Sequence, residues 1–112
     1  MNEKILIIDD EPAVLKTTQK ILASEGYKVK NASSGKEAVA ILKVENFDLA
    51  ITDIRMPGMD GLEVIRQAKK LDHFLEIIVL TGYGTTENAV KALKEEGAFD
   101  FLIKPLKGID DL

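Results

Sequence analysis

The sequence predicts an α/β fold, a five-stranded parallel sheet wound with helices on both faces. Two observations carry this expectation. Five strand-length segments, at 5–8, 27–31, 47–52, 77–80 and 98–103, alternate with segments whose apolar residues recur at helical spacing. The runs 5–8 and 77–80 are apolar at every position, as strands covered on both faces are. Parallel strands need crossover connections of helix length, and these are right-handed, so the alternation specifies a sheet with helices on both sides.

Each element has a local cause. After the first run, Pro12 stands at a helix start, where its missing N–H costs nothing. Val14, Leu15, Thr18, Ile21 and Leu22 then form one apolar stripe that stops at Gly26, a residue suited to the left-handed position beyond a helix end. The second strand leads to Ser34 and Glu37, spaced as a capping box that opens a helix through Ala38, Ile41 and Leu42. The third run ends at Asp53 and is followed by a Pro57-Gly58 turn. There Asp60 can cap a helix whose Leu62, Ile65 and Ala68 face inward, ending near Leu71. The fourth run reaches Thr81, Gly82 and Gly84 loosen the chain, and Ala89, Val90 and Leu93 mark a helix closing at Gly97. The fifth run ends at Lys104-Pro105. Residues 106–112 supply only about two helical turns, so the fifth helix is short or cut.

At 112 residues the chain is sized for one domain, 1–112. An apolar share of 46% with 30% charged residues excludes a disordered or coiled-coil chain. The absence of cysteine removes disulfides and thiolate chemistry, leaving carboxylates, hydroxyls, amines and one histidine. No apolar run approaches a membrane span, and a cytoplasmic protein is expected. The net charge of −4 is interspersed and offers no footprint for nucleic acid.

The polar residues of interest all fall at the carboxyl ends of predicted strands: Asp9 and Asp10, Asp53, Thr81 and Lys104. That edge is where open α/β sheets bind ligands. If the first and third strands are neighbours, three carboxylates gather, and such a cluster calls for a cation. An all-oxygen, acidic donor set suits Mg²⁺. A lysine and a hydroxyl opposite complete what phosphoryl transfer requires, namely positioning and neutralised charge, and a carboxylate can be the nucleophile. Each residue alone has an ordinary explanation: Asp9 and Asp10 as acids at a helix start, Asp53 as a turn residue, Lys104 as a solvated cation. Their joint placement on one sheet edge is what favours chemistry.

Ile8-Asp9-Asp10-Glu11, the run from Asp53 to Gly61 (DIRMPGMDG), Leu80-Thr81-Gly82 and Lys104-Pro105 occur in order over nearly the whole chain. In these motifs the sequence resembles the receiver domains of two-component response regulators. The resemblance implies a flavodoxin-like fold of strand order 2-1-3-4-5 and a cis peptide before Pro105. It implies that Asp53 is phosphorylated by a sensor histidine kinase, with Mg²⁺ held by Asp9, Asp10, Asp53 and the Arg55 backbone carbonyl. Thr81 and Lys104 match the phosphate-contacting pair, and Thr81 and Phe101 the switch pair. The protein is then a phosphoacceptor that catalyses only its own phosphorylation and dephosphorylation. The surface of the fourth helix, fifth strand and fifth helix is implied as the output face, controlling transcription, and as a candidate for homodimerisation. Arg55 and Tyr83, each two residues beyond a site residue, are expected to shield the phosphoryl group and tune its lifetime.

Two other functions compete. A flavin-binding module needs a glycine- and hydroxyl-rich loop after the first strand, whereas Asp9-Asp10-Glu11 repels phosphate. A phosphatase of the haloacid dehalogenase type needs an aspartate two residues after the nucleophile, where this chain has Arg55. His73 reads as a surface residue at a helix end, Met56 and Met59 as packing residues, and Lys69 and Lys70 as part of a solvated helix face.

Overall fold

The computed structural model describes residues 3–54, 56–81 and 100–103, the last segment and Thr81 through their backbone. Along the chain these form β1 (Lys4–Ile8), α1 (Pro12–Ser24), β2 (Lys28–Ala32), α2 (Gly35–Val44), β3 (Leu49–Thr52), α3 (Gly61–Leu71), β4 (Glu76–Thr81) and β5 (Asp100–Ile103). All neighbouring strands pair in parallel in the order β2-β1-β3-β4-β5, the flavodoxin-like order that the resemblance implies. The expected helix near Ala89 to Leu93, the fifth helix and the peptide before Pro105 lie outside the described residues.

Alternation along the strands divides the core in two. Leu6, Ile8, Ala50, Ile77 and Val79 join Ala38 of α2 and Val64, Ile65 and Ala68 of α3 on one face. Ile5, Ile7, Ile51, Ile78 and Leu80 meet Leu15 and Leu22 of α1 on the other. Full burial of each leucine, isoleucine or valine among them contributes about 1.5–3 kcal/mol, so both faces of the sheet are strongly specified.

Helix ends follow the sequence signals, with instructive departures. Beyond α1, Gly26 at φ 92° closes a Schellman motif, its N–H donating to Ala23 O at 3.0 Å and that of Tyr27 to Leu22 O at 3.3 Å. That second bond is why β2 starts at Lys28 rather than Tyr27: the Tyr27 N–H is already committed to the helix, and Lys28 makes the next backbone bond, to Glu3 O. Ser34 caps α2 by accepting the Glu37 N–H at 3.1 Å. The return arm of the box reaches one residue further back, to Ser33 N–H at 2.6 Å. Phe47 is buried although β3 starts only at Leu49, its side chain in the core with Leu6 and Ala50, while the Asp48 carboxylate accepts the Lys4 N–H at 2.8 Å. Lys69 departs from the solvated face expected for it: its ammonium donates to Leu75 O at 2.6 Å, tying α3 to the start of β4.

Glu45 joins two strands to α2, 2.7 Å from Lys4 Nζ and 3.1 Å from Lys30 Nζ. These hydrogen bonds, Lys4's first, hold its carboxyl below the ordinary 4.5. With the folded pKa depressed, this contribution is present above about pH 4.5 and fades as pH falls through the folded value. Loss of the α2 cap should weigh more at neutral pH. Ser34→Ala is expected to lower unfolding free energy by about 1 kcal/mol in urea titration with the slope unchanged.

Candidate functional site

The site begins with backbone register. Ile8 of β1 lies opposite Thr52 of β3. One residue on, the Asp53 N–H donates to Ile8 O at 3.0 Å, while the Asp9 N–H donates to Ala32 O of β2 at 3.1 Å. Asp9 and Asp53 therefore leave adjacent strands side by side, and Asp10 and Glu11 follow as the chain turns into α1. Carboxylate oxygens of Asp9, Asp10, Glu11 and Asp53 lie within 4.8 Å of one another. Asp9 and Asp53 are buried, at 1% and 6% exposure, and Asp10 and Glu11 face solvent.

Neighbouring N–H groups aim the two buried carboxylates. Asp9 Oδ1 accepts from the Glu11 N–H at 2.9 Å, an Asx turn that leads into the Pro12 helix start. The residue at the α1 cap position is Glu11, which makes no side-chain cap bond, so Asp9 and Asp10 do not cap the helix in the usual sense. Asp53 Oδ1 accepts from the Ile54 N–H at 2.7 Å, and the Asp53 carbonyl accepts the Thr52 hydroxyl at 2.9 Å. The loop beyond is pinned by buried Ile54 and Met56. It turns at Pro57-Gly58, where Gly58 has φ 78°, and enters α3 through Asp60, whose carboxylate accepts the Glu63 N–H at 3.0 Å.

The structure thus brings Asp9, Asp10 and Asp53 together. The backbone of Thr81 ends β4 opposite Ile103, the residue before Lys104, and Phe101 pairs with Val79. The side chains of Thr81 and Phe101, and all of Arg55, Tyr83 and Lys104, lie outside the described residues. His73 is exposed, edge-on to Phe74 at 5.7 Å between ring centroids, away from the acidic cluster. Three contributors carried no role in the sequence reading: Glu11, Thr52 and Gly61. Glu11 was legible as the third acid of a continuous run, but its convergence with Asp53 depends on how the chain turns into α1.

Unit charges about 4 Å apart near a protein surface interact by about 4 kcal/mol, so four gathered carboxylates repel until a cation neutralises them. The donor set, all carboxylate oxygen and partly exposed, fits a hard divalent ion that keeps several waters. Fold and site together define a doubly wound α/β protein with a cation-seeking pocket at the carboxyl ends of its first and third strands. The chain belongs to the response regulator receiver domain family, whose model matches residues 5–112. It is the receiver domain of a two-component response regulator.

The chain is 40% identical over 102 residues to the transcriptional regulatory protein GlrR of Escherichia coli K12, a match covering 91% of this chain and 23% of that protein. It therefore spans about a quarter of that regulator's length. It is 36% identical over 112 residues to sporulation initiation phosphotransferase F of Bacillus subtilis, covering 100% of this chain and 89% of that protein. The solved structure of response regulator TrrA from Thermotoga maritima, in complex with Mg(2+)-BeF, matches with a TM-score of 0.84 at 33% identity, covering 94% of this chain and 89% of that one. Among the described residues no helix is long and apolar enough to cross a membrane.

Carboxylate repulsion predicts that the site destabilises the metal-free fold. Asp10→Ala should raise the melting temperature in chelator-treated buffer at pH 7 by roughly 4 °C, about 1 kcal/mol, and calorimetry showing a lower value would contradict that view.

Proposed function

We propose that this domain is a phosphoryl-accepting switch in which Asp53 takes a phosphoryl group from a sensor kinase's phosphohistidine. The observation that carries the reading is the convergence of Asp9, Asp10 and Glu11 with Asp53 at the ends of β1 and β3. Mg²⁺, held by Asp9, Asp10, Asp53 and the Arg55 carbonyl, would neutralise charge on the phosphoryl oxygens.

The chain's own residues do the rest. The Ile54 N–H fixes one oxygen of the Asp53 carboxylate. An Asp53 carboxylate oxygen attacks phosphorus in line, forming the new O–P bond as the bond to the donor imidazole nitrogen breaks and the imidazole leaves with the electron pair. Thr81 and Lys104 are assigned to the phosphoryl oxygens on the sequence motifs, and the adjacent ends of β4 and β5 support that assignment. Movement of Thr81 toward the phosphoryl group, with Phe101 turning inward, then alters the surface of the helix after β4, β5 and the last helix. Arg55 and Tyr83 shield the phosphoryl group from water.

The likeness to GlrR supports transcription as the output and attachment to a longer regulator. Full-length likeness to a protein named a phosphotransferase supports a second reading, a relay module that hands the phosphoryl group onward.

Acetyl phosphate with Mg²⁺ should label the wild-type chain with one hydroxylamine-sensitive phosphoryl group by intact mass. Equal labelling of Asp53→Asn would remove Asp53 from the role, and labelling that survives complete removal of Mg²⁺ would remove the ion from it. Asp10→Ala should bind Mg²⁺ more weakly by titration calorimetry. Tyr83→Ala should shorten the phosphorylated half-life, and a half-life equal to or longer than wild type would count against shielding.

A further inference from the structure

The acceptor's own peptide unit is hydrogen-bonded at both its N–H and its C=O. The C=O of Asp53 and the N–H of Ile54 belong to one peptide plane. The N–H grips Asp53 Oδ1 at 2.7 Å, and the carbonyl oxygen takes the Thr52 hydroxyl at 2.9 Å. Gly61, the first residue of α3, packs against this plane, and its N–H donates to the carbonyl of the next peptide unit, Ile54 O, at 2.7 Å. A Cβ at Gly61 would overlap the Asp53 carbonyl oxygen, and would lie 2.7 Å from Ile54 Cα and 2.9 Å from the Asp53 carbonyl carbon. The three atoms nearest to it are all backbone, so the clash cannot be relieved by a side chain swinging aside. The helix start sits this close only because position 61 carries no side chain.

We propose that Gly61 and Thr52 are positioning residues for phosphoryl transfer, locking the rotation of the 53–54 peptide whose N–H orients the acceptor carboxylate. The inference rests on Asp53 being the acceptor. Tilting this plane moves the N–H away from Oδ1 and swings the carboxylate off the line of attack, while the core beneath stays packed. A displacement of about 1 Å at a reacting group can slow chemistry by up to about a hundred-fold, so a buried steric push should register in rate before it registers as unfolding.

The test uses the full chain in four variants, with acetyl phosphate as donor and saturating Mg²⁺, at a temperature where circular dichroism shows every variant folded. Gly61→Ala should lower the maximal phosphorylation rate about ten-fold or more with the donor half-saturation concentration little changed. Thr52→Val, which removes the hydroxyl at nearly constant volume, should lower it about three-fold. Gly35→Ala is the steric control. Its Cβ would press on Met59 O at 2.7 Å and Val64 Cγ2 at 2.8 Å, at the far end of the same loop, so it should lose thermal stability but keep the wild-type rate. If Gly61→Ala does not fold, Thr52→Val against Gly35→Ala decides. Wild-type rates in Gly61→Ala and Thr52→Val, or an equal slowing in Gly35→Ala, overturn the positioning role while leaving Asp53 as acceptor. Labelling that persists in Asp53→Asn removes the acceptor and this inference together.

Discussion

The pairing of β1 with β3 in one register is the constraint on which the rest of this domain depends. Ile8 opposite Thr52 is the last matched pair of a ladder whose other members, Ile5 with Leu49, Leu6 with Ala50 and Ile7 with Ile51, are almost all buried. Side chains alternate with period two, so a slip of one residue would carry this apolar set to the wrong faces and set Thr52 or Ile54 beside Asp9 in place of Asp53. The apolar register therefore sets the polar one. Two acids meet at the sheet edge because the isoleucines beneath them allow no other alignment.

Gathering carboxylates works against folding, and the domain tolerates it by location. Asp9 and Asp53 are buried, yet each has a carboxylate oxygen bonded to a backbone N–H within two residues, and Asp10 and Glu11 keep contact with water. The mutual repulsion of the cluster is largest when no cation is present, so a bound cation would stabilise the fold through the same oxygens that the proposed phosphoryl transfer uses. The opposite edge of the sheet is organised differently. There Lys4, Lys30 and Glu45 pair in contact with solvent, and Lys4 lies 5.0 Å from the centroid of the Phe47 ring, an arrangement that joins elements without charge crowding.

The loop between Asp53 and α3 is shaped by close backbone approach rather than by side-chain packing alone. Ile54 and Met56 anchor it in the core shared by α2 and α3, and Gly58 turns it with a left-handed φ of 78°. Gly61 at its far end and Gly35 at the start of α2 both lie where a Cβ would strike the loop. Two helix starts are therefore packed directly on this loop.

Much of this was determined by the sequence alone. The apolar runs, the Gly26 stop, the Ser34 and Asp60 caps, the Pro57-Gly58 turn and the placement of Asp9, Asp10 and Asp53 at strand ends are local patterns, set by neighbours within a few residues in the chain. The motif resemblance supplied the strand order as well. Tertiary structure alone decided what those patterns bring into contact. Periodicity records that a strand is buried but not which strand lies beside it, so neither the convergence of Glu11 with Asp53 nor the seat of Gly61 on the Asp53 peptide could be read from spacing. Phe47 entered the core from outside its strand, and Lys69 left the solvated face for the Leu75 carbonyl, for the same reason. The partner in each case is fixed by where distant segments close, and loop closure is a property of the whole fold.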